Sequence, residues 1–292
     1  MRLVQFVDLN NGSQYIGAEA SNGDIIKLTG SKLTYNSIVE LLNAGDSALN
    51  VARGIVDDIN QHTVVNKTHI KLLSPITKCE KIVCIGMNYK DHCAEQNAPL
   101  PEEPVVFSKF PSSIAADGDI IILPNKLSEN VDWEVELAVI IGKSGKHITK
   151  ERAMDHVVGY TVANDVSTRD WQLKKNSGQW LLGKTFDTHC PLGPALVTKD
   201  EVSNPYDLKL KCIVNGEIVQ NSNTKELVFD ISECIAWVSQ FFTLKPGDIL
   251  LTGTPPGVGV FRKPPVFLKA GDIVTCEVES IGKITNSCAN EF

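Results

Sequence analysis

The stretch Asp132-Trp133-Glu134-Val135-Glu136-Leu137-Ala138-Val139-Ile140-Ile141-Gly142 sets two demands on any fold of this chain. Its apolar second half, rich in β-branched residues, reads as a buried strand. Glu134 and Glu136 stand two apart at the start, so in a strand both carboxylates point to the same face. Two like charges side by side repel, and burying them unpaired costs several kcal/mol. A hard divalent cation that takes oxygen ligands, Mg²⁺ or Ca²⁺, resolves the conflict. The plainer alternative is a solvated polar face.

The rest of the chain narrows the choice. At 292 residues it forms one large domain or two, and 42% hydrophobic content supports a real core. A formal charge of −7 argues against a nucleic-acid partner. No apolar run approaches the roughly 20 residues that span a bilayer, so no membrane association is expected. The start, Met1 to Val7, reads as a strand and not as a signal or transit peptide. The 8 cysteines form no C-x-x-C and no zinc-finger spacing, and several sit in apolar patterns. They read as reduced core residues.

Residues 1–73 resemble a small α+β module without recognisable chemistry. Strand-like Leu3–Phe6, a turn at Ser21-Asn22-Gly23-Asp24 and strand-like Ile25–Leu28 lead to a helical pattern over Leu33–Leu42 that ends at Ala44-Gly45. Residues 74–292 form the second region. A short strand, Lys81–Ile85, precedes a helical segment in which His92 and Glu95, three apart, share a face. A His beside a carboxylate makes a general base, although an exposed surface pair is the blander reading. A Pro-rich loop follows, Asn97-Ala98-Pro99-Leu100-Pro101 with Pro104, and could let the helix act as a lid. Lys109 lies in the apolar strand Val105–Phe110, so it is either at an edge or turned into a site. Thr149 caps a short helix. Asp165 falls at the end of a strand, and Ser167 caps the helix that carries Arg169 and Gln172 on one face, where they could bind a carboxylate. Lys184 is a second Lys in apolar surroundings. Asn215-Gly216 marks a hairpin, and Asp230 with Glu233 marks a helix start. The glycines of Thr252-Gly253-Thr254-Pro255-Pro256-Gly257-Val258-Gly259 suggest close backbone approach to a ligand. The last strand is read as Asp272–Glu279. Short strands with few helices favour a β-rich sandwich or rolled barrel over a doubly wound sheet.

Together these stretches resemble the fumarylacetoacetate hydrolase family over roughly residues 75–280. The resemblance rests on Gly86-Met87-Asn88-Tyr89 with His92-x-x-Glu95, Trp133-Glu134-Val135-Glu136-Leu137, Asn164-Asp165-Val166-Ser167-x-Arg169-Asp170, Gly183-Lys184-Thr185-Phe186-Asp187 and Thr252-Gly253-Thr254-Pro255-x-Gly257-Val258-Gly259. Met87 departs from the pattern, because many relatives carry Arg there. The resemblance implies a β-rich α+β fold, a mixed β-sandwich roll with a small N-terminal module. It also implies a homodimer, and a metal, Mg²⁺ with Mn²⁺ or Ca²⁺ as alternatives, held by Glu134, Glu136 and Asp165. It makes His92, Glu95 and Lys184 catalytic and puts Tyr89, Lys109, Arg169, Gln172, Gly253 and Thr254 at the substrate. The substrate class is then a small 2-oxo acid, processed through an enolate. For the branch of the family that the longer motifs match, the implied activity is oxaloacetate keto–enol tautomerisation. Hydrolysis of C–C bonds in acylpyruvates or other β-diketo acids is the alternative, and a metal-bound binding protein without turnover is the third. The branch implies a mitochondrial location, with the cytoplasm as the alternative.

Overall fold

The computed structural model describes residues 1–20, 22–30, 32–58 and 64–291. A large sheet runs in the order Val64–Val65, Ile25–Lys27, Gln14–Glu19, Arg2–Asp8, Cys190–Thr198, Val157–Asn164, Val135–Ile141, Ile249–Leu251, Ile82–Gly86 and Val105–Lys109. Ile70–Leu73 joins it beside Arg2–Asp8, and Ile114–Ala115 joins beside Cys190–Thr198. Facing it is a five-stranded sheet in the order Glu217–Asn223, Lys209–Val214, Ile273–Val278, Gly282–Asn290 and Ile121–Leu123. A ribbon of Val131–Asp132 with Ser167–Thr168 lies near the site. The expected β-rich, mixed-sheet architecture is therefore present. The strands of residues 1–73 do not stand apart: Leu3 pairs with Leu196, so they extend the large sheet.

The Val135–Ile141 strand sits at the centre, and its alternation divides the core. Val135, Leu137, Val139 and Ile141 face one hydrophobic cluster, which includes Leu210, Cys212, Val274 and Cys276 of the second sheet and the Ile231–Phe241 helix. Ala138 and Ile140 face the other, with Ile38, Leu41, Leu42, Ala52 and Ile55 of the N-terminal helices. Burial on both faces explains why this strand is apolar at consecutive positions. All 8 cysteines are free and buried. No helix among the described residues is long and apolar enough to cross a membrane.

Local signals hold where a short-range hydrogen bond defines the element. The hairpin at Asn215-Gly216 joins Lys209–Val214 to Glu217–Asn223. Asp230 and Glu233 close a reciprocal capping box. Several readings need correction. The pattern over Leu33–Leu42 yields a helix only at Ile38–Asn43, capped by the Ser37 side chain. That helix ends at Ala44-Gly45 as expected, and Gly45, with φ 80°, also turns the chain directly into a second helix, Asp46–Asp57. Thr149 precedes a 3₁₀ segment, Lys150–His156, and makes no side-chain cap. Ser167 does not cap the following helix, because its hydroxyl donates to the Asp165 carbonyl and its backbone pairs with Asp132. After Ile273–Val278 comes one more strand, Gly282–Asn290, whose polar residues hide the buried alternation Ile284, Asn286 and Cys288. In the turn at residues 21–24, Ser21 lies outside the described residues; the Gly23 amide donates to the Ala20 carbonyl at 2.8 Å.

Candidate active site

Two adjacent strands bring the carboxylates together. Val135 pairs with Asn164, so Glu134 and Glu136 lie beside Asp165 at the end of Val157–Asn164. The Asn164 side-chain oxygen accepts from the Glu134 amide at 3.0 Å, and the Asp165 amide donates to the Glu134 carbonyl at 2.9 Å. Ligand oxygens of Glu134, Glu136 and Asp165 all fall within 4.8 Å of one another, and all three residues are buried. The solvated-face alternative is thereby removed.

Three cations surround them. Lys184 Nζ lies 2.9 Å from Glu134 Oε2 and 2.7 Å from Asp165 Oδ2. Lys109 Nζ lies 2.7 Å from Asp165 Oδ1 and also donates to the Val166 carbonyl. Lys109 is therefore turned inward and is not an edge lysine. Arg169 Nη1 lies 2.6 Å from Glu134 Oε1, and Arg169 Nε lies 2.8 Å from Asp132 Oδ2. Gln172 Oε1 accepts from Arg169 Nη1 at 2.8 Å, while Arg169 Nη2 is buried without a partner among the described residues. A buried guanidinium nitrogen without a partner is costly, and an acidic ligand satisfies it.

The carboxylates are not equivalent. Burial opposes ionisation of Glu134, but Lys184 and Arg169 outweigh it and hold that carboxyl at about 2. Glu136 has no Lys or Arg in ion-pair contact among the described residues; its Oε2 accepts from the Gly253 amide at 2.7 Å. Burial, with Asp165 and Glu134 alongside, pushes the Glu136 carboxyl well above its ordinary value. Burial works against the Lys184 ammonium, yet Asp165 and Glu134 keep its pKa above the ordinary value. With Asp132 included, four carboxylates face three cations. An oxygen-only donor set of this kind, with uncompensated charge at Glu136, fits a metal ion.

A short helix, Lys90–Glu95, covers the site. Its His92 Nδ1 lies 2.9 Å from Glu95 Oε2, and Glu95 Oε1 accepts from the Gly257 amide at 2.9 Å. Asp91 Oδ2 accepts from the Ser222 hydroxyl at 2.6 Å, which ties the helix to the second sheet. The cavity beneath it is about 60 Å³ and is bordered by Glu134, Glu136, Arg169, Gln172, Lys184, His92 and Thr254, with Met87, Gln96, Phe107 and Trp180 among its other walls. Tyr89, Lys109 and Gly253 do not border it: Tyr89 is fully buried in the core, and the other two bind the carboxylates Asp165 and Glu136. The close approach expected of the glycines is to protein. A Cβ on Gly257 would strike the Val219 carbonyl, so this glycine seats the loop that grips Glu95.

Residues 81–289 match the fumarylacetoacetate (FAA) hydrolase C-terminal family. The chain belongs to the fumarylacetoacetate hydrolase family. It is 59% identical to a protein of Xenopus laevis named as a mitochondrial oxaloacetate tautomerase, over 98% of this chain and 89% of that one. A human protein named likewise is 55% identical over 98% and 91% of the two chains. Among solved structures, a fumarylacetoacetate hydrolase of Exiguobacterium antarcticum superposes with a TM-score of 0.88 at 35% identity, covering both chains fully. A maleylpyruvate hydrolase of Sphingobium sp. SYK-6, solved with manganese(II) and pyruvate, gives 0.80 at 27%, again over both full chains.

Within this family member, two site residues escaped sequence reasoning. Asp132 is fully buried; its carboxylate accepts from Arg169 and from the Gly259 and Val260 amides, and so orients the arginine. The only signal was its place two residues before Glu134. Gln220 accepts from the Val135 amide and donates to the Thr254 hydroxyl and the Pro255 carbonyl, joining the carboxylate strand to the glycine loop. Nothing local marks it.

Proposed function

We propose that this enzyme is an oxaloacetate keto–enol tautomerase, working in mitochondria as a homodimer with Mg²⁺. The observation that carries the reading is a cluster of three buried carboxylates beside a buried ammonium and a guanidinium nitrogen without a partner among the described residues, with Glu134, Glu136, Arg169 and Lys184 bordering one small cavity. The names of the Xenopus laevis and human relatives support the substrate and the compartment.

Glu134, Glu136 and Asp165 would hold the cation, which when bound supplies Lewis-acid polarisation of a 2-oxo group. Arg169, through Nη2, binds the substrate carboxylate next to that group, and Gln172 holds the guanidinium in place. Lys184 keeps a fixed positive charge where negative charge develops on the substrate oxygen, in a site that needs no reorganisation. Glu95 engages His92 Nδ1, which leaves Nε2 as the nitrogen that moves a proton at C3. Tautomerisation then needs only that transfer and the return of a proton to the oxygen.

A second reading has its own support. The formed His92–Glu95 pair is what activation of water requires, so hydrolysis of the C–C bond in an acylpyruvate is within the site's chemistry. One experiment separates the readings. Enol oxaloacetate is mixed with protein and Mg²⁺, loss of enol absorbance is followed against EDTA controls, and pyruvate is assayed in the same samples. Fast, EDTA-sensitive loss without pyruvate is the expected result. Pyruvate formed at the same rate would mean decarboxylation, and no effect with turnover of acylpyruvate would establish the hydrolase. Sedimentation at micromolar concentration tests the homodimer.

A further inference from the structure

The lid and the remaining wall of the cavity are closed by different means. The Lys90–Glu95 helix is tied down by polar bonds from Glu95 and Asp91. Phe107 and Trp180 close their part of the wall by packing alone: their rings meet edge to face at 5.3 Å, and the indole nitrogen has no hydrogen bond among the described residues. Gly86 makes room for this arrangement, because a Cβ there would come within 2.6 Å of Trp180 Cζ3. The same two rings also line a surface groove of about 500 Å³, together with Val83, Val106 and Leu181. Phe107 and Trp180 are thus a partition one side chain thick between the cavity and open space. Trp180 follows the exposed residues 173–179, where Asn176, Ser177 and Gly178 take left-handed φ values of 50°, 55° and 75°.

The space on the inner side is small. A cavity of about 60 Å³ holds about four waters at roughly 15 Å³ each, equivalent to roughly 120 Å³ of liquid. Sites for drug-sized ligands occupy about 300–1,000 Å³. A four-carbon dioic acid is of the smaller size, and an acylpyruvate with a butyl or longer tail is not.

We infer that Trp180 sets the substrate length, confining this site to 2-oxo acids of about four carbons and excluding long-tailed acylpyruvates. The inference rests on the 2-oxo-acid reading above. It makes Trp180 a specificity residue rather than a catalytic one. A longer tail must displace the indole into the groove, and its loss joins the two spaces.

The test reads binding, so it does not depend on turnover. Oxamate and N-butyloxamate present the same carboxylate–amide chelating head, but only the second carries a tail. Both are titrated calorimetrically into Mg²⁺-loaded wild-type, Trp180→Ala and Trp180→Leu proteins, with folding checked by circular dichroism. Wild type should prefer oxamate by about tenfold or more, the scale at which a tight pocket rejects added methylenes. Trp180→Ala should bring the two affinities within a few-fold, with Trp180→Leu between. Equal affinities in wild type overturn the inference. So does continued rejection of N-butyloxamate by a folded variant that binds oxamate. If the alanine variant fails to fold, wild type and the leucine variant decide the matter by the same criteria. Failure of wild type to bind oxamate at all would overturn the 2-oxo-acid reading and the length limit with it; a flat ratio with oxamate bound overturns the length limit alone.

Discussion

Glu136→Gln separates the two loads that the carboxylate cluster carries. The side chain is 2% exposed, accepts one amide hydrogen bond and has no cation in ion-pair contact among the described residues. Gln keeps the shape and the acceptor oxygen but removes the charge. Without metal, the variant should therefore match or exceed wild type, since an uncompensated buried charge costs stability that a neutral amide of the same shape does not. With metal the order reverses. A ligand at a hundred times its Kd adds about 2.7 kcal/mol to the native state. For 292 residues, an unfolding entropy of about 2.1 cal/mol/K per residue totals roughly 0.6 kcal/mol/K, so the midpoint of wild type rises by about 4 °C. The variant, lacking one ligand charge, should rise by less than about 1 °C on the same scale. Scanning calorimetry at pH 7.5 in EDTA, and then in MgCl₂ or MnCl₂, measures both differences. A retained metal shift of wild-type size would refute the ligand assignment. A large drop of the variant's midpoint in EDTA would refute the claim that Glu136 is uncompensated.

His92→Ala should lower acylpyruvate hydrolysis by about a hundredfold or more and tautomerisation by less, in parallel steady-state assays; equal losses would mean that the dyad serves a step common to both. Burial, helped by the charge of Lys109, pushes His189 down to about 3, so it is neutral in the native protein. Unfolding returns it to its ordinary value of about 6.5. Its contribution is therefore complete above about pH 6.5 and is lost as pH falls toward 3, at about 1.4 kcal/mol per pH unit. Urea unfolding at pH 7 and pH 5 should show this slope reduced in His189→Gln; an unchanged slope would place the acid sensitivity elsewhere. Asp230→Ala removes the capping box and should cost about 1 kcal/mol, read as a fall of about 2 °C in the melting midpoint.

What could be read from the chain was whatever one element fixes by itself. The spacing of Glu134 and Glu136 becomes a shared face as soon as the segment is a strand, and Asp165 needs only the end of the neighbouring strand. Asn215-Gly216 and Asp230–Glu233 are likewise self-contained. Lys109 had two open orientations because an apolar strand does not reveal which neighbour it meets; the answer was Asp165, brought in across the sheet. Asp132 gains its meaning from Arg169, and Gln220 from Thr254, both through contacts between distant segments. The helix Asp46–Asp57 was missed because Gly45 reads equally well as an end or as a corner.

The pairing pattern of the large sheet also orders events in time. The Val135–Ile141 strand is flanked by Val157–Asn164, which is close in sequence, and by Ile249–Leu251, which is not. Ile82 likewise waits for Ile249, and Leu3 for Leu196. On a ribosome the carboxylate strand therefore leaves the exit tunnel well before its second neighbour exists. Such distant closures slow folding and leave strand edges open meanwhile. The cluster that could hold a cation is consequently completed only after Gly253 has been made, although most of its residues are made near the middle of synthesis. A nascent chain stalled before Leu251 would carry every acidic ligand and still lack the Gly253 amide that holds one of them in place.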